Sequence, residues 1–287
     1  MPEGPEVKYI TEWLNENYKG KKLIDVKINS GRYSRFSSKG QNLPVGWDKF
    51  LSLLKNSNSK NSKGLIIKKI DCHGKFIWWE FENSNFTLWN TLGMSGWWNF
   101  SDGDKHNNVS FHFKNQVANF NDYRNFGTFI FCTKDNLEKK LGKFGPDILD
   151  KSLKDKGKEL FKKKLDKKRS DTLIATALLD QGVAAGCGNY IRAEVLYLAK
   201  ISPFRKISEL SENDINLLWN LLQQVGFNYY DKRLGKKEKI IDGKYKFADH
   251  YKLQFLVYSQ SKDPFGNKVT RTKVKGRSIH YVKSIQV

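Results

Sequence analysis

Residues 65–92 read LIIKKIDCHGKFIWWEFENSNFTLWNTL, and this stretch decides the fold class. It contains three strand-like segments, at 65–70, 75–81 and 85–92, which are separated by short polar turns. Antiparallel strands can be joined by such turns, whereas parallel strands need a crossover of about a dozen residues or more. The stretch therefore predicts consecutive antiparallel hairpins.

The pattern extends in both directions from this stretch. Further strand-like segments lie at 109–113, 116–120 and 127–132, with no helical segment between them, which favours a sandwich or a barrel. Upstream, Ile24, Val26 and Ile28 alternate as in a half-buried strand. Pro5 suits a first helical turn, and Gly20 follows apolar residues at helical spacing, namely Val7, Ile10, Leu14 and Tyr18. We predict an N-terminal helix plus antiparallel β-sandwich domain over residues 1–145.

The second half of the chain, residues 146–287, predicts a helical domain. Helical patterns cover 171–181, 189–199 and 214–227, and the last is preceded by Ser211 and Asp214 in a variant of the capping box. Glycine-rich residues 181–189 separate the first two helices, which fits a helix–two-turn–helix motif over about 171–200. Short strands at 255–258, 268–273 and 278–284 predict a terminal β-hairpin region over about 255–287. The predicted fold class is α+β.

The charge balance indicates an anionic partner. Lys and Arg number 51 against 30 Asp and Glu, a net charge of +21. Nucleic acid is the default partner, since neutralised phosphates release counterions. Alternatives are a lysine-rich genome bias, with solvated lysines, or an anionic membrane surface, although no long basic amphipathic helix is evident.

Several classes of protein are disfavoured by the sequence. No apolar run approaches the roughly 18 residues of a membrane helix, and the N-terminal residues lack a secretory pattern. The 3 cysteines form neither a disulfide framework nor a zinc pattern. We expect an intracellular protein, without distinguishing nucleus from cytoplasm.

Residues 2–7, PEGPEV, carry the clearest chemistry. Removal of Met1 would make Pro2 an N-terminal secondary amine, which is partly neutral near physiological pH. Such an amine can attack a sugar carbon to give an iminium, and the iminium makes the proton on the adjacent carbon acidic. Glu3 is placed to transfer protons as general acid and base. The alternative interpretation is an ordinary helix start rich in Pro and Glu.

Other motifs accompany this one, in a recognisable order. They are HGK at 73–75, LGMSG at 92–96, NDYRNFG at 121–127, GPD at 145–147 and QGVAAGCGNYI at 181–191. With these motifs the chain resembles, over its whole length, the formamidopyrimidine-DNA glycosylase / endonuclease VIII family of base-excision repair enzymes.

The resemblance implies roles for individual residues. Pro2 would be the nucleophile, Glu3 the acid and base, and Lys75 a phosphate contact that assists elimination. Glu6 and Glu194 would be supporting carboxylates, and Asn189 and Arg277 would bind DNA. Met94, Arg124 and Phe126 would fill the void left by a flipped nucleotide.

Several of these residues also have a simpler interpretation, and Glu194 is expected to be structural rather than catalytic. Lys75 could be an edge-strand lysine, Met94 and Phe126 could be core, and Arg277 could be a surface residue in a basic tail. Asn125 departs from the family pattern, which has a second arginine there.

The C-terminal region also departs from most of the family. Residues 257–287 contain no cysteine, whereas a four-cysteine zinc hairpin is usual. This resembles the zincless finger of endonuclease VIII-like enzymes. His73, His106, His112, His250 and His280 show no ligand spacing, so we expect neither metal nor cofactor.

The resemblance implies a bifunctional DNA glycosylase and AP lyase that acts by β,δ-elimination as a monomer on damaged duplex DNA. Oxidised pyrimidines are the expected substrates, with 8-oxoguanine and formamidopyrimidines as the alternative. Residues 235–249 are expected to influence substrate choice. A non-catalytic protein that binds damaged DNA on the same scaffold is the rival interpretation.

Overall fold

The computed structural model describes residues 2–34, 43–55, 64–100, 106–234 and 255–287. Within them lie helices α1 (Gly4–Tyr18), α2 (Trp47–Lys55), α3 (Lys134–Leu141), α4 (Lys154–Asp166), α5 (Ile174–Ala177), α6 (Asn189–Leu198) and α7 (Glu212–Leu234). The strands are β1 (Lys22–Ile28), β2 (Leu65–His73), β3 (Phe76–Phe81), β4 (Phe86–Thr91), β5 (Trp97–Asn99), β6 (Asn107–Phe113), β7 (Val117–Asn121), β8 (Thr128–Thr133), β9 (Thr270–Val274) and β10 (Arg277–Tyr281). None of the described helices is long and apolar enough to cross a membrane. The 235–249 segment lies outside the described residues.

The chain divides into two compact units. The first contains Pro2 and Glu6–Gly142, and the second contains Glu3–Pro5, Lys143–Leu234 and the described residues 255–287. The N-terminal motif is therefore shared: Pro2 and Glu6 belong to the first unit, and Glu3 to the second.

The first unit is built on one 8-stranded sheet in the order β5-β7-β6-β1-β2-β3-β4-β8. All neighbouring strands in it run antiparallel. Strands far apart in this order nevertheless contact each other. The ring centroids of Trp79 on β3 and Trp98 on β5 are 5.3 Å apart, and those of Phe111 on β6 and Phe129 on β8 are 5.9 Å apart. The sheet thus folds over an aromatic core, which confirms the predicted antiparallel sandwich.

Helix α1 follows the predicted periodicity, since Val7, Ile10, Leu14 and Tyr18 are all buried. Strand β1 does not follow its simple alternation. The pairing of β1 with β6 shifts in register between Leu23 and Asp25, so Leu23 and Val26 are buried while Ile24 is 40% exposed. A bulge of this kind changes which face each side chain occupies. Helices α2 and α3 and the three-residue strand β5 were not predicted.

The second unit is helical, with corrections to the predicted bounds. The helix expected over 171–181 is regular only in α5, and the residues after it form turns. Helix α7 begins earlier and ends later than predicted. Its capping box is confirmed: the Asp214 amide donates to Ser211 Oγ at 3.1 Å, and the Ser211 amide donates to Asp214 Oδ2 at 2.9 Å.

Strands β9 and β10 form the C-terminal hairpin, and its turn contains Lys275 (φ 46°) and Gly276 (φ 77°). Two central positive φ angles are typical of a tight two-residue hairpin turn. The expected strand at 255–258 is wrong, because those residues form turns. An apolar cluster joins this region to α6, and its buried members are Ala193, Tyr197, Val257, Val269, Val274, Ile279 and Val282.

Candidate active site

The carboxylate of Glu3 lies at the N-terminus of α6. Glu3 is 1% exposed, and its two oxygens accept hydrogen bonds from the amides of Tyr190 (2.9 Å) and Ile191 (3.2 Å). These amides belong to the first turn of α6, where backbone donors lack a partner within the helix. The partial positive charge of a helix N-terminus favours a carboxylate there. Glu3 is therefore held in one orientation, directly after Pro2, which is itself buried.

Glycines allow the segment that contains Glu3 to approach the 181–189 segment. The Gly4 amide donates to the Gly186 carbonyl at 2.9 Å, and a Cβ on Gly4 would lie 3.0 Å from Gly186 Cα. Gly186 has a φ of +96°, a conformation that side chains disfavour. Gly188 precedes α6, and a Cβ there would lie 2.5 Å from Glu3 Cγ and closer still to its carboxylate. This close backbone contact thus requires glycine in both motifs.

We expect Gly188→Ala to displace the Glu3 carboxylate. The backbone of Gly188 (φ −131°) is open to alanine, so the effect would come from steric overlap with Glu3 alone. Base release from a damaged duplex, measured in single turnover, should fall by about 10²-fold or more, as for a misplaced acid–base group. Gly142→Ala is the control, because its new Cβ would have its nearest contact at 3.5 Å. Equal rates for the two variants would contradict this role of Gly188.

Lys75 and Glu6 are the predicted site residues of the first unit, along with Pro2. Lys75 lies in the tight turn between β2 and β3, after Gly74 at φ 58°, and is half-buried. Among the described residues no carboxylate forms an ion pair with Lys75. Glu6 is buried in the first turn of α1.

The predicted void-filling residues lie on two loops organised by Asp122. The buried Asp122 carboxylate accepts hydrogen bonds from Ser95 Oγ, from the Gly127 amide (2.6 Å) and from the Arg124 amide (3.2 Å). Ser95 belongs to the LGMSG loop, so one carboxylate joins both motifs. A buried carboxylate that accepts several hydrogen bonds fixes a loop more firmly than the polar sequence of that loop indicates.

The side chains of these loops differ in exposure. Arg124 is exposed, Phe126 is 49% exposed, and the Arg124 guanidinium lies 5.2 Å from the Phe126 ring centroid. Met94 is half-buried. Tyr123, which the sequence analysis did not single out, is 58% exposed beside Arg124. An aromatic residue within a turn-forming Asn/Asp/Gly motif is the signal that would have identified it.

Asn125 has a structural role in the 121–127 loop. It adopts a left-handed conformation (φ 58°), and its Oδ1 accepts a hydrogen bond from Asn108 Nδ2 at 2.9 Å. Asn tolerates this conformation better than most residues. The side chain at the position of the family's second arginine therefore serves the loop itself.

The remaining predicted residues lie in the second unit. Asn189 is the half-buried first residue of α6, and Arg277 is the exposed first residue of β10. Glu194 is 1% exposed, and its carboxylate accepts hydrogen bonds from the amides of residues 256–258 at 2.7, 3.0 and 2.8 Å. Burial raises the pKa of the Tyr229 phenol, and Glu194, which accepts its hydrogen bond at 3.3 Å, raises it further. Glu194 thus anchors the segment that leads to the hairpin.

The expectation that no metal ion is bound rested on the cysteine-free residues 257–287 and on histidines without ligand spacing. Within the ranges that the structure describes, there is no group of three or more His, Cys, Asp or Glu side chains that could hold a metal ion. His250 lies outside those ranges.

Comparison with known proteins places the chain in a family. Residues 1–129 match the model of the formamidopyrimidine-DNA glycosylase N-terminal domain, and residues 144–226 match that of the formamidopyrimidine-DNA glycosylase H2TH domain. A formamidopyrimidine-DNA glycosylase of Oceanobacillus iheyensis is 32% identical over 225 residues, which cover 76% of this chain and 72% of the relative.

Solved structures are similar over nearly the whole chain. A complex of MutM with DNA containing carbocyclic 8-oxo-G superposes with a TM-score of 0.77 at 27% identity, covering 99% of both chains. The wild-type Lactococcus lactis Fpg (MutM) bound to DNA with an oxidised pyrimidine superposes with a TM-score of 0.75 at 25% identity, again covering 99% of both chains. Together with the matched domains, these similarities show that the chain belongs to the formamidopyrimidine-DNA glycosylase family.

Proposed function

We propose that this protein is a bifunctional DNA glycosylase and AP lyase that removes oxidised bases during base-excision repair. The observation that carries the proposal is the Glu3 carboxylate, buried and oriented by the first turn of α6, immediately after Pro2. A non-catalytic binding protein has no need of an oriented carboxylate beside an N-terminal secondary amine. The alternative of a lesion sensor is therefore less well supported.

In the proposed reaction the Pro2 nitrogen, freed by removal of Met1, forms a bond to the sugar C1′. The bond from C1′ to the base breaks, and the departing base takes up a proton with Glu3 as general acid. The nitrogen loses its proton, and the C1′–O4′ bond of the sugar ring then breaks as O4′ takes up a proton, which leaves an iminium between C1′ and the Pro2 nitrogen. This iminium withdraws electrons, so loss of a C2′ proton expels the 3′ phosphate by β-elimination. A second elimination expels the 5′ phosphate and leaves a one-nucleotide gap with phosphate at both ends.

The remaining residues are proposed to bind and reshape the DNA. Lys75, Asn189 and Arg277 would contact phosphates, which fits an exposed guanidinium at a tight turn and an amide at a helix N-terminus. Arg124, Phe126 and Met94 would occupy the space vacated by the flipped nucleotide, which offsets part of the few kcal/mol that flipping costs.

The proposed substrates are oxidised pyrimidines. We also propose that the chain belongs to the zincless branch of the family. The cysteine-free hairpin and the similarity to a protein bound to oxidised-pyrimidine DNA support this. The similar formamidopyrimidine-DNA glycosylases, by their name, favour formamidopyrimidine lesions instead. Parallel cleavage of thymine-glycol, 8-oxoguanine and formamidopyrimidine duplexes would separate the two.

The mechanism is tested by borohydride trapping. Hydride added during turnover should reduce the iminium to a stable amine, giving a covalent protein–DNA adduct at Pro2. Mass spectrometry of the digested adduct should locate the DNA on the N-terminal peptide of the processed chain. Pro2→Gly retains an amine without the ring, so its adduct yield should fall sharply. An adduct of undiminished yield on an internal lysine would overturn the mechanism.

A further inference from the structure

Arg192 is a fully buried cation that the proposed reaction does not use. It lies within α6 at 0% exposure, although arginine is rarely buried without partners. Its guanidinium donates to the Ala175 carbonyl (2.7 Å), to Asn189 Oδ1 and to the Ser278 carbonyl (2.9 Å). One side chain thus joins α5, the start of α6 and strand β10.

The hydrogen bond to Asn189 determines the orientation of its amide. A guanidinium has donors and no acceptor, so it can bond only to the amide oxygen. The Asn189 NH₂ group is therefore turned away from Arg192, and within the described part of the chain it has no hydrogen-bond acceptor. Asn189 is left as a donor at the N-terminus of α6, which is the polarity that a phosphate oxygen requires.

The hydrogen bond to Ser278 fixes the residue that follows Arg277. The Ser278 carbonyl is held by Arg192, and the Arg277 side chain projects from the preceding position on β10. Burial lowers the pKa of the Arg192 guanidinium and the charge of Arg277 lowers it further, whereas Glu3 opposes the shift. Arginine nevertheless stays protonated in proteins.

We propose that Arg192 is a positioning residue that couples the two phosphate contacts, by presenting the Asn189 amide as a donor and by holding the strand that carries Arg277. This inference rests on the proposed binding of DNA by those two residues. Lysine cannot replace Arg192, because a single ammonium on a flexible stem does not reproduce a planar fork with three acceptors.

A double-mutant cycle tests this coupling. We would measure the Kd for a duplex with a tetrahydrofuran abasic-site analogue, which cannot be cleaved through C1′ chemistry. Asn189→Ala should weaken binding by roughly tenfold, as expected for one charge-assisted contact. Arg192→Lys should weaken binding at least as much, because it also releases the strand that carries Arg277. The Kd of the double variant should be within about twofold of the Kd of Arg192→Lys alone. Without Arg192 to orient it, the Asn189 amide no longer presents its NH₂ group to the phosphate, so its removal costs little more. Independent, multiplicative losses would overturn the proposal.

Asn189→Asp gives a second measurement that does not depend on loss of folding. Aspartate still accepts the Arg192 hydrogen bond, so the melting temperature should not fall, whereas the lost donor and added charge should weaken DNA binding at least as much as Asn189→Ala. An aspartate variant that binds DNA like the wild type would contradict the role of the amide.

Tyr197→Phe is the matched control. Tyr197 also lies on α6, and its hydroxyl donates to Asp263 at 3.0 Å, so the variant removes another contact between this helix and the C-terminal region. It should lower the melting temperature while leaving the Kd within about twofold. If it weakens binding as much as Arg192→Lys, Arg192 is merely structural.

Failure of the proposed function remains distinguishable from failure of the coupling. If the wild-type protein binds the duplex but neither releases bases nor forms the trapped adduct, the proposed activity is overturned. The double-mutant cycle can still be interpreted in that case, because it measures only binding. A wild-type protein that does not bind the duplex would overturn both.

Discussion

Glu3→Gln is expected to lower the rate of base release by about 10²–10⁴-fold, the usual contribution of a positioned acid–base group. Glutamine is nearly isosteric and keeps one oxygen to accept a hydrogen bond from the start of α6, where Glu3 now accepts two. The carboxyl group that we propose supplies a proton to the departing base would be gone. The variant would lose one of the two hydrogen bonds, because the NH₂ group of glutamine faces the other amide, whereas the chemistry would be lost.

A second substrate provides the control for the Glu3→Gln variant. On a pre-formed abasic site the base has already left, and an open aldehyde needs less assistance for attack by the Pro2 amine. Strand cleavage of that substrate should therefore retain much of its wild-type rate. Single-turnover rates on a lesion duplex and on an abasic duplex measure the two steps separately. Equal losses on both would show that Glu3 serves the two steps together, or only holds α6.

Sequence patterns predicted the parts of this protein that depend on local periodicity. The buried face of α1 follows from its spacing, and six strands follow from apolar segments between turns. The exposure of Ile24 could not be predicted, because a bulge depends on the partner strand. Residues 255–258 have strand-like composition, yet they form turns. The Glu194 carboxylate on α6 accepts hydrogen bonds from the amides of residues 256–258, which the sequence of this segment does not indicate.

In the candidate site, too, some features follow from local sequence and others depend on distant parts of the chain. Pro2 and Glu3 were predicted as site residues from their chemistry, but the position of Glu3 at the start of α6 depends on residues about 190 positions later in the chain. The role of Gly188 is likewise visible only from the space that Glu3 occupies. Arg192 lies in an apolar helical segment, where sequence alone does not distinguish a solvated arginine from a buried one.

Glu194→Ala is expected to destabilise the second unit by about 3–5 kcal/mol, the loss associated with removing one partner of a buried charged network. Three consecutive amides, those of residues 256–258, would lose their acceptor at once. Val257 is fully buried within the apolar cluster that joins the hairpin to α6, so water cannot readily replace the carboxylate there. Urea unfolding would measure the loss, and hydrogen exchange at these amides would locate it.

Glu194→Gln is the graded control for this prediction. Its single amide oxygen can accept two of the three hydrogen bonds, but its NH₂ group would face the third donor, so roughly half of the destabilisation should remain. Exchange should accelerate most at Leu256, whose amide is bonded to Oε2, while Val257 and Tyr258 share Oε1. If Glu194→Ala unfolds within about 1 kcal/mol of the wild type, the hairpin does not depend on this carboxylate. Its attachment would then rest on the apolar cluster alone.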